Sequence, residues 1–132
     1  MRFFKRTKGV IDKQLMVQFI GEEGADEGGP RREFLTLLVS AIVSTAGVLE
    51  GSVGRKNFTL NPMLLDENVY FQAGRMVAVA IQQNGPGMAC LSPGVYYTIA
   101  QTPSMCKLSP DDIPYPDIKQ KIVKVIIIIV NV

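Results

Sequence analysis

The sequence predicts an α+β fold in which helices dominate, and three observations carry this expectation. Two long stretches, 30–46 and 67–83, place apolar residues at helical spacing. Strand-like alternation is confined to short runs. Ser92-Pro93 and Ser109-Pro110 are cap-then-proline pairs of the kind that opens helices. At 132 residues the chain is one domain's worth, long enough to bury a core.

Taken in order, residues 1–14 form a basic arm or first helix, with Arg2, Lys5, Arg6, Lys8 and Lys13 around Phe3 and Phe4. No apolar signal-peptide core follows them, and a transit peptide fits poorly because the folded pattern begins almost at once. Leu15, Val17 and Phe19 share one face of a predicted strand, with Met16, Gln18 and Ile20 on the other. Gly21 to Gly29 is an acidic, glycine-rich loop carrying Glu22, Glu23, Asp26 and Glu27. Pro30 then opens a helix in which Phe34, Leu37, Leu38, Ala41 and Ile42, widened by Leu35, Val39 and Val43, leave little polar surface. Such a helix is expected at the centre of the fold, with Gly47 as its stop.

Residues 50–56 read as a turn and Lys56 to Leu60 as a short strand closed by Asn61-Pro62. Asp66 is the expected N-cap of the second long helix, which runs to about Gln83 with Tyr70, Ala73, Val77 and Ala80 on one face. Gly74 inside it costs roughly 1 kcal/mol relative to alanine, so close packing against another element is expected there. Asn84-Gly85-Pro86-Gly87 ends the helix. A further helix is expected from Asp117. Val125 to Val130 is six consecutive β-branched residues, read as a sticky, strand-prone tail over 125–132 and too short to span a bilayer.

The composition excludes several chemistries. A net charge of +2 argues for neither nucleic acid nor an anionic membrane surface. The absence of histidine removes Ser-His-Asp and Cys-His pairs, imidazole metal sites and histidine acid–base work. Cys90 and Cys106 read as free thiols, since nothing else marks a disulfide scaffold. The loop before Pro30 lacks the Gly-Lys-Ser/Thr ending of a phosphate loop, and its acids would repel phosphate. It also lacks the ligand alternation of a calcium loop. Its acids instead precede Arg31 and Arg32, whose charges are unfavourable at a helix N-terminus unless paired. An ion-paired clasp between strand and helix is therefore expected, with no cofactor and no metal.

Residues Val17 to Phe34, then Asn57-Phe58, Asn61-Pro62, Tyr70-Phe71-Gln72-Ala73-Gly74-Arg75-Met76-Val77-Ala78-Val79-Ala80 and Tyr96-Tyr97 resemble, in this order, the opening of the HECT domain of ubiquitin ligases. Gly-Gly-Pro-Arg-Arg-Glu-Phe-Leu (28–35) and Pro-Asp-Ile-Lys-Gln-Lys-Ile-Val-Lys-Val (116–125) are most similar to the G-two/M-phase-specific branch of that family. The resemblance spans roughly residues 2–120, only the first part of a full domain. It implies a partial N-terminal lobe over 15–124, followed by an isoleucine-rich tail that departs from the family.

The resemblance also implies ubiquitin-protein transferase activity for the whole enzyme, through a thioester on a cysteine of a separate C-terminal lobe. That cysteine follows threonine and usually precedes phenylalanine. Cys90 lies between Ala89 and Leu91, and Cys106 between Met105 and Lys107, so neither matches. The surface that docks the conjugating enzyme lies further along the family's domain. The chain is thus expected to be catalytically incomplete by itself, intracellular, and a partner of ubiquitin-pathway proteins. Gly28, Gly29, Arg31, Arg32, Gly74 and Arg75 are expected to be structural; the family's own Gly-Arg pair makes an ion pair the expected role of Arg75. The alternatives are a non-catalytic interaction or decoy module, or a truncated product without stable function.

Overall fold

A computed structural model describes residues 14–21 and 28–130. They divide into two compact units. The first comprises the described residues up to Val48 together with Asn61–Met88, and the second Leu49–Leu60 together with the described residues from Ala89 onward. The expected basic arm lies outside the described residues, as do the four loop acids of the clasp.

The first unit is built on α1 (Gly29–Ser44), which has a proline in its first turn and Gly28 at its N-cap. Gly28 has φ of 106°, a left-handed backbone open to glycine at little cost. The helix ends where Thr45 and Ala46 both donate to the Ala41 carbonyl, and Gly47, at φ 70°, turns the chain away. Leu35, Val39 and Ile42 are buried on one stripe, whereas Leu37 stays 55% exposed. The helix expected to be enclosed on nearly all sides is therefore covered on one. One long neighbouring helix can cover only one stripe, and here that helix is α3.

Asn61 and Pro62 do more than close a strand. The Asn61 side chain accepts from the amides of Met63 (3.0 Å) and Leu64 (3.4 Å), and Pro62 begins the short helix α2 (Pro62–Asp66). Asp66 consequently ends α2 rather than capping the next helix. That helix, α3 (Val69–Gln82), follows Asn68, whose φ of 57° reverses the chain between the two. Ala73, Met76, Val79 and Ala80 form its buried face, while the expected Tyr70 and Val77 are half-buried at its edge. Leu35, Val39 and Ala80 make a core cluster, against which Leu15, Phe34, Leu38, Val43 and Met88 pack. Burying each large side chain here contributes about 1.5–3 kcal/mol.

Two glycines of this unit behave in opposite ways. Gly74 does not sit at a close contact: it is exposed, and a Cβ built there meets nothing within 4 Å. Gly74→Ala should therefore stabilise the fold by about 0.5–1 kcal/mol, read as a higher urea midpoint, because only the conformational cost of glycine is removed. Gly85 is the true close approach. Its amide donates to the Ala80 carbonyl at 2.7 Å, and a Cβ would lie 2.9 Å from that oxygen and from two carbons of Leu35.

Residues 14–19 do not form the expected strand. Their burial nevertheless alternates as expected, with Leu15, Val17 and Phe19 half-buried and Met16, Gln18 and Ile20 exposed. Side chains take the place of a neighbouring strand. The Leu15 amide donates to Gln83 Oε1 (3.1 Å), and Arg31 Nη1 donates to the Leu15 carbonyl (3.5 Å).

In the second unit β1 (Leu49–Glu50) and β2 (Asn57–Phe58) pair antiparallel, Leu49 opposite Phe58 and Glu50 opposite Asn57. Gly51 (φ 103°) and Gly54 (φ 75°) shape the turn between them. Lys56 extends the pairing sideways: its amide donates to the Cys90 carbonyl (2.7 Å), and its carbonyl accepts from Ser92 (2.8 Å). The expected helix starts follow. α4 (Pro93–Ile99) is capped by Ser92, while Ser109-Pro110 opens only a single 3-10 turn, Pro110–Asp112, after another at Pro103–Met105.

The last element, α5 (Pro116–Val130), overturns the strand-prone reading of the tail, because residues 125–130 are helical. A helix already nucleated at Pro116 gains one hydrogen bond per added residue, and a β-branched residue costs only some tenths of a kcal/mol there relative to alanine. Ile118, Ile122, Val125 and Ile129 are all exposed.

Candidate functional site

The second unit holds an open apolar groove of about 590 Å³. Val95 and Ile99 of α4, Leu108, and Ile122 and Ile126 of α5 form its sides. Its polar edge is an ordered network. Ser92 is 1% exposed; its Oγ donates to Asn57 Oδ1 at 2.6 Å and accepts from the Val95 amide at 3.3 Å. Asn57 Nδ2 donates to the Asp112 carbonyl at 2.8 Å. The Asp112 carboxylate accepts from Arg55 Nη1 through one oxygen and from the Ser109 amide, at 2.9 Å, through the other. β2, the start of α4 and the second 3-10 turn are thereby pinned together.

This network is not a catalytic arrangement. The Ser92 hydroxyl faces an amide oxygen, which is no general base, and it is closed to solvent. Among the described residues no group of three or more His, Cys, Asp or Glu side chains comes close enough to hold a metal ion. None of the helices there is long and apolar enough to cross a membrane. The first unit has its own apolar trough, of about 1000 Å³, between residues 15–20 and one side of α1.

Two exposed contacts flank the groove. Lys119 Nζ donates to Asp111 Oδ1 at 2.7 Å, and this bond, with the lysine's charge, holds the Asp111 carboxyl below its ordinary value of 3.8. Tyr115 donates to Glu50 Oε1 at 2.9 Å, which pushes the phenol above 10.0. A depressed carboxyl contributes stability above its unfolded value and loses it as pH falls through the folded value. Lys119→Met should therefore move the Asp111 titration upward, toward 3.8, as followed by its side-chain carboxyl NMR shift.

The residues expected to be structural scatter over the first unit. Gly28 and Gly29 stand at the start of α1, and Arg31 is half-buried beside Leu15 while Arg32 is exposed. Exposed Gly74 precedes half-buried Arg75, whose guanidinium lies 5.9 Å from the centre of the Phe71 ring, within cation–π range. Cys90 and Cys106 are free and half-buried in the second unit. The Arg55–Asn57–Ser92–Asp112 network was missed as a unit. Its helix caps are visible in the Ser-Pro pairs, but a pairing of Arg55 with Asp112 across 57 positions leaves no local signal.

Compared with known proteins, 102 residues of the chain, 77% of it, align at 30% identity with G2/M phase-specific E3 ubiquitin-protein ligases of Homo sapiens and Macaca fascicularis. Over 97 residues, 74% of the chain, it is 32% identical to the same-named protein of Gallus gallus. The matches span 14% of the two primate proteins and 13% of the chicken one. No family model matches the chain, and no solved structure matches it significantly. The chain is thus related in sequence to a short part of a ubiquitin ligase.

Proposed function

We propose that the chain is part of the N-terminal lobe of a HECT-type ubiquitin-protein ligase, where it serves as scaffold and does not carry ubiquitin itself. The observation that carries this reading is the 30% identity over 102 residues to proteins named as ubiquitin ligases. The family wording at 17–34, 57–62 and 70–80, in the family's order, supports the finer assignment. Neither cysteine has the threonine before it that marks the family's thioester site. The polar network is spent on tying elements together. In this role the chain acts inside the cell, in cytoplasm or nucleus, within a ligase that meets conjugating enzyme and substrate through other parts.

A second reading, a non-catalytic interaction module, is favoured by the two open apolar grooves. One experiment tests the absence of ubiquitin transfer and a second separates the two readings. The chain incubated with activating enzyme, a panel of conjugating enzymes and ubiquitin should give no thiol-sensitive adduct on a non-reducing gel. An adduct lost in Cys90→Ala or Cys106→Ala would overturn the scaffold role. In the second experiment the chain replaces the aligned segment of the human relative, and the chimaera should still ubiquitinate itself. A folded, soluble chimaera without that activity would favour the interaction module.

A further inference from the structure

The chain contains three Ser/Thr-Pro pairs, at 92–93, 102–103 and 109–110, all in the second unit. Proline-directed kinases act on this dipeptide when the hydroxyl is reachable and the local backbone is extended, with the proline bond trans. Ser92 fails, because it is 1% exposed and its Oγ both donates and accepts. Thr102 is half-buried in a run of exposed residues and makes no capping bond with its side chain. Ser109 is half-buried after exposed Lys107 and Leu108, has an extended backbone (φ −122°, ψ 150°), and precedes a trans proline. Its Oγ caps the Pro110–Asp112 turn, accepting from the Asp111 amide at 3.2 Å within a capping box shared with Asp112, and it also bonds the Asp111 carboxylate. Unlike Ser92, it is not closed to solvent.

What surrounds Ser109 gives a modification there a consequence. Its amide is bonded to Asp112, which pairs with Arg55, and the next residue but one, Asp111, pairs with Lys119. The two carboxylates and two cations cancel. We propose that Ser109 is the phosphoacceptor of a proline-directed Ser/Thr kinase, and that its phosphate unfastens the Arg55–Asp112 latch beside the apolar groove. In the step itself Ser109 Oγ bonds to the γ-phosphorus of ATP. The bond from that phosphorus to the β–γ bridging oxygen breaks, ADP leaves with the bond's electron pair, and the hydroxyl proton passes to the kinase's base.

The product carries about −1.5 to −2 charge and three strong acceptor oxygens. Guanidinium binds phosphate in a bidentate manner at least as well as carboxylate, so Arg55 has a rival partner next to the old one. Asp111 and Asp112 are meanwhile repelled by the new dianion. Attraction draws Arg55 and Lys119 off their carboxylates, and repulsion pushes the same carboxylates away. Both effects open the Pro110–Asp112 turn, which holds one edge of the groove.

The test is to incubate the folded chain with a proline-directed kinase and ATP, then map phosphate by mass spectrometry. Modification of Ser109 is expected, with Ser92 unmodified and Thr102 serving as a control for engagement of the folded chain. Hydrogen exchange of the Asp112 amide, and of the amides at 55–58, should then quicken several-fold. The same treatment of Ser109→Ala should leave those rates unchanged, which separates this effect from modification at Thr102. Thr102 modified with Ser109 untouched would overturn the proposal. So would a fully phosphorylated Ser109 with exchange unaltered. Neither outcome bears on the ligase assignment, which rests on sequence similarity elsewhere in the chain.

Discussion

Leu35→Ala should destabilise the chain by about 2–5 kcal/mol, the cost of removing a fully buried leucine whose surroundings relax only in part. Leu35 is 0% exposed and touches the element that ends α3 as well as α3 itself. Gly85→Ala should cost about 1–3 kcal/mol for the opposite reason, since its new methyl would be driven against Leu35 and the Ala80 carbonyl. The two changes must couple. Removing the Leu35 Cδ1 atom clears one of the three clashes at Gly85, so the double variant should lose less than the sum. Urea midpoints at constant slope measure all three. Additive losses would mean that these residues do not meet as described.

Asp112→Ala should destabilise the second unit by about 2–3 kcal/mol. The Asp112 side chain is 8% exposed and holds the Arg55 guanidinium and the Ser109 amide together. Truncation leaves the Ser109 amide without its acceptor and Arg55 without its partner. Because Arg55 is 39% exposed, it can be rehydrated in part, which keeps the loss below that of a fully buried pair. Asp112→Asn keeps an acceptor for Ser109 and should lose less. Denaturant midpoints rank the two variants, and an Asp112→Ala loss no larger than that of Asp112→Asn would show the acceptor for the Ser109 amide to be idle.

What was legible in the sequence followed local chemistry. α1 and α3 were visible as apolar periodicities, the ends at Gly47 and Asn84 as turn signals, and Ser92 as a cap. Errors arose where a local signal had two structural answers. Asn61-Pro62 is equally a turn and a cap with its proline, and the structure uses the second, which displaced Asp66 from its expected role. The alternation at 15–20 correctly gave the faces, yet said nothing of whether another strand lay alongside. The β-branched run was read by intrinsic preference, whereas propagation from Pro116 decides its conformation. Gly74 and Gly85 were indistinguishable as letters, and only tertiary packing tells a spare glycine from a required one. The groove network joins residues far apart in the chain, so only its caps could be read locally.

Because the first unit is discontinuous along the chain, its closure is a matter of timing during synthesis. Ala80, which meets Leu35 in the core cluster, follows it by 45 residues, so at about 5–20 residues per second the ribosome delivers it some 2–9 seconds later. Through that interval α1 has emerged with Phe34, Leu35, Leu38 and Val39 and without the helix that covers them. The hairpin of the other unit is made in between, and its Asp112 anchor arrives later still. Neither unit can finish before the other has begun. The nascent chain therefore offers a hydrophobic helix to chaperones for seconds, a window set by the order of its segments rather than by the stability of the finished fold.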